Sequence, residues 1–190
     1  SLSSRRGPDY VGIFNEIENI QFGFNRLSIL DLSANAHQPI FSNDQKYLMV
    51  FNGEIYNYID IKNKLEQLGV EIKSSGDTEV LVNSFSKLGI DQTVKMLDGM
   101  FAIALFNIEK KMLYLIRDFG GVKPLYFGHN KKGIVFASQF NQLAKHQYFR
   151  DNQINYSILK LFLHQQYVPA PYGLLDQTYQ VKPGEIVSFD

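Results

Sequence analysis

An Asn-Gly-Glu step directly after an apolar run carries the residue types best suited to chemistry. The run at 47–51 is predicted to form a buried strand, and Asn52, Gly53 and Glu54 follow it at once. Asn-Gly is the strongest short hairpin signal, so one interpretation is a tight turn without chemistry. In the other interpretation, the Asn52 amide and the Gly53 N–H direct two donors at one developing oxyanion, since glycine has no side chain to block the approach. Glu54 would then accept a substrate amine.

Hydrophobic periodicity predicts the elements that must position this step. Residues 10–14 and 20–29 are predicted to form neighbouring antiparallel strands. One helix is predicted from an Asn57 N-cap to a C-terminal cap at Gly69, and Asp77 precedes a second predicted helix that is closed by Gly89. The other predicted elements are a short helix after Asp91, hairpins at 100–106 with 112–116 and at 125–128 with 134–137, a helix at 156–166 and a strand at 185–189. Helices grouped with antiparallel strands predict an α+β layered domain.

The composition describes a globular protein and excludes several function classes. The 190 residues are 45% hydrophobic, which is enough to bury a sizeable core. Nineteen basic and nineteen acidic side chains cancel, whereas nucleic-acid and anionic-membrane surfaces need a concentrated positive field. No apolar run approaches the roughly 20 residues of a membrane helix, and the first residues lack the apolar core of a signal peptide. We therefore expect a cytoplasmic protein that binds neither nucleic acid nor membrane.

Short motifs along nearly the whole chain resemble one protein family. The run at 52–58, Asn-Gly-Glu-Ile-Tyr-Asn-Tyr, resembles the glutaminase domain of the asparagine synthetases, which are class II glutamine amidotransferases with an N-terminal nucleophile. The resemblance implies the four-layer αββα sandwich of the N-terminal-nucleophile hydrolases, in which two antiparallel sheets lie between helical layers. Further motifs that match in the same order are Arg6-Gly7-Pro8-Asp9, Arg26-Leu27-Ser28-Ile29, Asp31-Leu32-Ser33, His37-Gln38-Pro39, Asp77-Thr78-Glu79-Val80, Asp98-Gly99-Met100-Phe101-Ala102, Arg117-Asp118, Lys123-Pro124-Leu125-Tyr126, Phe136-Ala137-Ser138 and Tyr167-Val168-Pro169-Ala170-Pro171.

The resemblance implies glutamine hydrolysis to glutamate and ammonia, and it assigns roles to individual residues. Asn52 and Gly53 would form the oxyanion hole. Arg26 would pair with the α-carboxylate of glutamine, because a planar guanidinium suits a bidentate contact. Glu54 and Asp77 would accept its α-ammonium group. The implied glutamine-binding residues are Arg26, Leu27, Ser28, Ile29, Leu30, Asn52, Gly53, Glu54 and Asp77, of which 27–30 would contribute backbone groups at a strand edge.

Plainer interpretations stand beside several of these roles. A lone arginine in a strand is more often a solvated surface group than a ligand, and an aspartate before a helix is more often an N-cap. Arg117-Asp118 and Lys123-Pro124 are predicted to form an ion-paired turn that organises strands near the site. No metal site is expected, because the histidines have no spacing typical of metal ligands. These histidines are His37, His129, His146 and His164.

The sequence contains no cysteine, which conflicts with the implied chemistry. The family's nucleophile is an N-terminal cysteine on the first strand of the fold. Either that strand lies outside this sequence, so that residues 1–190 form a single, N-terminally truncated glutamine amidotransferase domain, or the protein is a non-catalytic scaffold for a synthetase, as in relatives of β-lactam synthetase. We prefer the first explanation, because the glutamine-binding residues are retained. The chain alone is then expected to be inactive.

The resemblance also implies partners that these residues do not include. In the family, ammonia passes to a C-terminal synthetase (ATP-pyrophosphatase) domain, which uses ATP and Mg²⁺ to amidate aspartate or a related carboxylate in asparagine biosynthesis. We expect that domain to be the main partner, and L-glutamine to be the substrate of the present chain. No cofactor is expected in the glutaminase domain itself, and a homodimer is an open option.

Overall fold

The computed structural model describes residues 7–27 and 37–190. The helices are α1 (Tyr58–Gln67), α2 (Asp77–Leu88), α3 (Ile90–Met96), α4 (Phe140–Ala144) and α5 (Tyr156–Gln165). The strands are β1 (Tyr10–Ile17), β2 (Ile20–Arg26), β3 (Ile40–Phe41), β4 (Tyr47–Ile55), β5 (Gly99–Asn107), β6 (Met112–Arg117), β7 (Tyr126–Asn130), β8 (Gly133–Ala137), β9 (Thr178–Gln180) and β10 (Ile186–Phe189). They form sheets in the orders β1-β2, β10-β6-β5-β4-β3 and β8-β7-β9. Antiparallel strand pairs together with helices confirm the α+β class.

Strand β4 does not end at the Asn-Gly step, contrary to the sequence prediction. It continues through Asn52 and Gly53 to Ile55, so the interpretation of this step as a hairpin turn is wrong. Asn-Gly makes a hairpin when the strands on either side of it pair with each other. The neighbours of β4 are instead β3 and β5, and partners on both sides keep the chain extended.

Most other predicted elements are present, with boundaries that differ by a few residues. The first two strands pair as predicted, but β2 ends at Arg26, and the predicted strand residues 28 and 29 lie outside the described residues. Sequence periodicity missed β3, β9 and α4, which have two, three and five residues. Elements this short do not complete enough periods to be recognised.

The two ends of α1 show one correct and one wrong prediction. Gly69 has a φ of +79°, and Val70 N–H bonds to Leu65 O at 3.0 Å, as expected of a glycine C-terminal cap. Asn57 occupies the N-cap position, but its side chain makes no capping hydrogen bond. Its side-chain amide instead bonds to the main chain of the segment before β5. Nδ2 donates to Met96 O at 2.7 Å, and Oδ1 accepts from Asp98 N at 3.0 Å.

The chain divides into two compact units. The first contains residues up to 99 with 103–114 and 188–190, and the second contains residues 100–102 and 115–187. Completely buried side chains of β4, α1, α2 and β5 form the core of the first unit; they include Leu48, Met49, Leu65, Phe85 and Ile103. Completely buried side chains of the second unit include Leu115, Ile116, Leu143, Phe149 and Val181.

Arg117 and Asp118 do not form the predicted ion pair. The Arg117 guanidinium donates to three backbone carbonyls, with distances of 2.7 to 2.8 Å to Lys123, Gly121 and Val181. The buried Asp118 carboxylate accepts from the backbone N–H groups of Phe101, Val122 and Lys123. Both side chains therefore hold a loop of the second unit by its main chain, since a turn offers peptide groups that need partners.

Candidate functional site

Two of the predicted site residues, Gly53 and Asp77, lie along one edge of β4. Phe51 N–H donates to Oε1 of Gln38 at 2.5 Å, and Ile55 N–H donates to Oδ2 of Asp77 at 3.0 Å. Backbone N–H groups of a strand point to the same edge at every second residue. The Gly53 N–H therefore points to this edge too, between the Gln38 amide and the Asp77 carboxylate.

The opposite edge of β4 faces β5. Ile108 N–H bonds to Lys46 O at 2.9 Å, and Tyr56 N–H bonds to Asp98 O at 2.7 Å. The same alternation then directs the backbone groups of Asn52 and Glu54 towards β5. Residues two apart on a strand share a face, so the half-buried side chains of Asn52 and Glu54 lie on one face of β4.

Asp77 is a buried carboxylate at the end of β4. It is the first residue of α2 and is 6% exposed, whereas the N-cap position belongs to Gly76. The simple N-cap interpretation is therefore wrong. Burial raises the pKa of Asp77 above its ordinary value, and the negative charge of Glu54 raises it further, although hydrogen bonds from Ile55 and Thr78 act in the opposite direction. The Asp77 carboxyl therefore lies within electrostatic reach of Glu54.

Hydrogen bonds from two helices fix the loop that precedes α2. The carboxylate of Glu79 accepts the backbone N–H of Lys73 at 3.0 Å and that of Ser74 at 2.6 Å. The hydroxyl of Tyr58 donates to Ser75 O at 3.1 Å. These bonds attach the loop to α1 and α2, so the position of Asp77 is set by more than its own helix.

Gly99 lets the start of β5 approach the main chain at Glu54. A Cβ atom at Gly99 would lie 2.2 Å from Glu54 O, a distance that real Cβ atoms do not adopt. The Asn57 side chain holds the segment just before Gly99. The sequence identified Gly99 only as part of a motif, because a close backbone approach has no signature in periodicity.

Arg26 occupies the last position of β2. It pairs in register with Tyr10 of β1, its side chain is only 7% exposed, and β2 contacts β4. A buried arginine is not the solvated surface group of the plainer interpretation, because a charge is buried only with partners. Leu27 is exposed. The predicted backbone contributors Ser28, Ile29 and Leu30 lie outside the described residues.

Gln38 is a site residue to which sequence analysis gave no role. Its side chain is 5% exposed and makes two hydrogen bonds to the backbone of Phe51, the residue just before Asn52. The His37-Gln38-Pro39 motif was the only sequence signal for this contact.

Three of the histidines, His37, His129 and His146, pack against aromatic rings. His37 stacks on Tyr10 with ring centroids 3.7 Å apart, and His129 stacks on Tyr179 at 5.5 Å. Burial lowers the pKa of His146. Among residues 7–27 and 37–190, no group of three or more His, Cys, Asp or Glu side chains is placed to hold a metal ion. No helix in the described part of the chain is long and apolar enough to cross a bilayer.

Solved structures show the fold to which the chain is similar. A glutamine phosphoribosylpyrophosphate amidotransferase from B. subtilis, complexed with ADP and GMP, superimposes on 88% of this chain with a TM-score of 0.58 and 21% identity. A structure described as the allosteric regulatory enzyme of purine biosynthesis covers 90% of the chain with a TM-score of 0.59 and 20% identity. The expected fold of the N-terminal-nucleophile amidotransferases is thereby confirmed.

Sequence comparison gives more similar relatives. The glutamine-hydrolyzing asparagine synthetase 1 of Bacillus subtilis (strain 168) is 38% identical over 179 residues, which is 94% of this chain. A putative glutamine-hydrolyzing asparagine synthetase 2 of Methanocaldococcus jannaschii is 33% identical over 203 residues and covers 97% of it. The chain spans 28% and 39% of the lengths of these two relatives. A family model described as a glutamine amidotransferase domain matches residues 2–190, and this protein chain therefore belongs to the glutamine amidotransferase domain family.

Proposed function

We propose that this chain is the glutaminase domain of an asparagine synthetase-type enzyme, which hydrolyses L-glutamine to glutamate and ammonia. The observation that carries the proposal is the order of groups along one edge of β4. The Gly53 N–H lies between the Gln38 amide and the Asp77 carboxylate, and Glu54 adds a second negative charge. This order supports the proposal, in which the Gly53 N–H binds the oxyanion at the amide carbon and the Asp77 carboxylate binds the α-ammonium group of the same amino acid.

In the proposed reaction, a thiolate attacks the side-chain amide carbon of glutamine. The resulting oxyanion is held by the Asn52 side chain and the Gly53 N–H, and one such donor typically contributes about 2.7 to 4 kcal/mol. The proton that the general base took from the thiol passes to the leaving nitrogen, so that ammonia departs as the tetrahedral intermediate collapses to a thioester. Water then hydrolyses the thioester, which releases glutamate and restores the thiol. A terminal α-amine, whose ordinary pKa is about 8, is a suitable general base at neutral pH.

The nucleophile must come from beyond these residues, because the 190 residues contain no cysteine. The proposal therefore includes a preceding segment with an N-terminal cysteine, and the chain alone is predicted to be inactive. Intact mass and N-terminal sequencing of the native polypeptide test this point. A native polypeptide without cysteine ahead of Arg6 would contradict the proposed hydrolysis. It would favour the non-catalytic scaffold, to which the names of the relatives give no support.

Substrate selection in this proposal depends on charge at both ends of the amino acid. Arg26 binds the α-carboxylate, Glu54 and Asp77 bind the α-ammonium group, and residues 27–30 supply backbone contacts. Each charge-assisted hydrogen bond contributes about 1.5 to 3 kcal/mol, which corresponds to roughly a 10- to 100-fold change in dissociation constant.

Isothermal titration of glutamine tests this assignment of the site. The Arg26→Ala and Asp77→Ala variants are each expected to bind at least tenfold more weakly than the unmodified protein. Arg150→Ala and Asp151→Ala are matched controls, because both side chains are exposed and form an ion pair with each other. Unchanged affinity in both site variants would refute the assignment.

The fate of ammonia is also part of the proposal. The relatives are named as glutamine-hydrolyzing asparagine synthetases, and this chain spans a minor part of each. We propose that a C-terminal synthetase domain receives the ammonia and uses ATP and Mg²⁺ to amidate aspartate or a related carboxylate in the cytoplasm. Production of asparagine from aspartate, glutamine and ATP by the full-length polypeptide is the direct test, with other carboxylates as competing acceptors.

A further inference from the structure

The Gln38 side chain takes the place of a backbone strand at one position of β4. Strand β3 pairs Ile40 with Met49, and the same antiparallel register places Gln38 opposite Phe51. At this position the Gln38 amide meets both peptide groups of Phe51: Nε2 donates to Phe51 O at 3.0 Å, and Oε1 accepts from Phe51 N at 2.5 Å. The ladder of hydrogen bonds is thus extended by one step, to the residue directly before Asn52.

The main chain around Gln38 is held by β1. A Cβ atom at Gly12 would lie 1.8 Å from Gln38 O, so the backbone of β1 is in direct contact with this segment. The ring of Tyr10 stacks on His37, one residue before Gln38, at a centroid distance of 3.7 Å. The Gln38 residue is buried, and β1 contacts the main chain beside it. We therefore treat its side-chain amide as a fixed partner of Phe51 and not as a mobile surface group.

We propose that Gln38 is a positioning residue of the glutaminase reaction, which keeps the Gly53 N–H aimed at the developing oxyanion. This inference rests on the proposed function. The bond from Phe51 to Gln38 and the bond from Ile55 to Asp77 fix the edge of β4 on either side of Gly53. An oxyanion donor must lie about 2.7 to 3.1 Å from the charge it stabilises, and a misplacement of about 1 Å can cost roughly 100-fold in rate.

Gln38→Met is the first variant, because methionine has a similar length and neither hydrogen bond. In the full-length polypeptide it is expected to lower kcat for glutamine hydrolysis by about 10- to 100-fold, with KM changed less than about twofold, since the groups that bind the substrate are retained. Gln92→Met is the matched control: Gln92 is an exposed residue of α3. Rates are expressed per folded molecule, with the folded fraction taken from thermal unfolding.

Gln38→Glu separates positioning from mere folding. A protonated glutamic acid has one donor and one acceptor and can rebuild both bonds to Phe51, whereas the carboxylate repels Phe51 O. Burial favours the protonated form. The ratio of the kcat of Gln38→Glu to that of the unmodified protein is therefore expected to rise as the pH falls from about 8 to about 6. The corresponding kcat ratio for Gln38→Met is expected to stay constant over the same range.

The outcomes distinguish a failure of the positioning role of Gln38 from a failure of the proposed glutaminase function. Loss of kcat in Gln38→Met with nearly constant KM, together with recovery of Gln38→Glu at lower pH, supports the positioning role. An active full-length protein in which both variants keep kcat within about twofold, or lose activity only in proportion to unfolding, overturns the role of Gln38 and leaves the proposed function standing. A full-length protein without glutaminase activity overturns the proposed function and this inference with it.

Discussion

The carboxylate of Asp77 accepts a hydrogen bond from the backbone N–H of Ile55, with 3.0 Å between Oδ2 and the nitrogen. This bond ties the first residue of α2 to the last residue of β4, directly after Glu54. Burial and the charge of Glu54 raise the pKa of Asp77, so the folded state without substrate holds an acid that is costly to ionise. In the proposed function, a bound ammonium group would remove that cost.

The raised pKa of Asp77 predicts a pH dependence of stability. The contribution of the Asp77 carboxyl to the free energy of unfolding is fully present below its unfolded pKa of about 3.8. This contribution is lost as the pH rises through the pKa of the folded state. The Asp77→Asn variant cannot ionise, so its stability does not fall with pH in this way. The asparagine side chain still has an oxygen that can accept the hydrogen bond from the Ile55 N–H. The free energy of unfolding of Asp77→Asn relative to the unmodified protein is therefore expected to increase from pH 4 to pH 7, as measured by urea titration.

Asp151→Asn is the control for this titration, because Asp151 is exposed and lies in the second unit. A stability difference between Asp77→Asn and the unmodified protein that stays constant from pH 4 to pH 7 would contradict the assigned pKa direction. Asp77→Asn is also expected to bind glutamine more weakly, so the gain in stability and the loss of affinity should appear in the same variant.

Gly99→Ala tests the close approach of β5 to the main chain at Glu54. The new Cβ would lie 2.2 Å from Glu54 O, so one backbone must move. We expect a loss of about 1 to 3 kcal/mol in unfolding free energy, and weaker glutamine binding because Glu54 shifts. Gly23→Ala in β2 is the matched control, since nothing lies within 4 Å of its added Cβ. Equal stability of the two variants would contradict the contact.

Hydrophobic periodicity in the sequence predicted most helices and strands. It did not predict contacts between residues that are distant along the chain. Helices α1 and α2 show apolar side chains at helical spacing and glycines beyond their ends, which local physics accounts for. The Asn-Gly step was ambiguous, because its local preference for a turn is overridden by partners on both sides of β4. No pattern within the strand carries that information.

The candidate site was predictable only in part for the same reason. Resemblance to a family singled out Arg26, Glu54 and Asp77, but the pairing of Asp77 with the backbone of Ile55 joins residues 22 positions apart. The proposed role of Gln38 depends on a register between β3 and β4 that becomes visible only once the sheet is formed. Side chains that replace backbone partners have no periodic signature, so they are recognised from coordinates.

Arg117→Lys tests whether Arg117 organises the second unit through backbone carbonyls. The guanidinium reaches three carbonyl oxygens with separate nitrogens, which a single ammonium group cannot do in the same geometry. We expect a loss of about 2 to 4 kcal/mol in unfolding free energy. Arg150→Lys is the control, because the exposed guanidinium of Arg150 bonds to the exposed Asp151 carboxylate, and it should change stability by less than about 0.5 kcal/mol. Similar stability of both variants would contradict this role.

Ser86→Ala tests the hydrogen bonds that stabilise the Asp44 carboxylate between β3 and α2. Partial burial raises its pKa, but bonds from Ser86, Ser42 and Lys46 outweigh that effect and lower the pKa to about 2. The Ser86 hydroxyl lies 2.6 Å from Oδ2, so its removal should raise the pKa of Asp44, measured by carbon-13 NMR titration of the carboxyl group. Because a lowered pKa stabilises the fold only above the unfolded value, Ser86→Ala should destabilise at pH 6 more than at pH 2. A titration curve of Asp44 that Ser86→Ala leaves unchanged would show that Ser42 and Lys46 alone account for the shift.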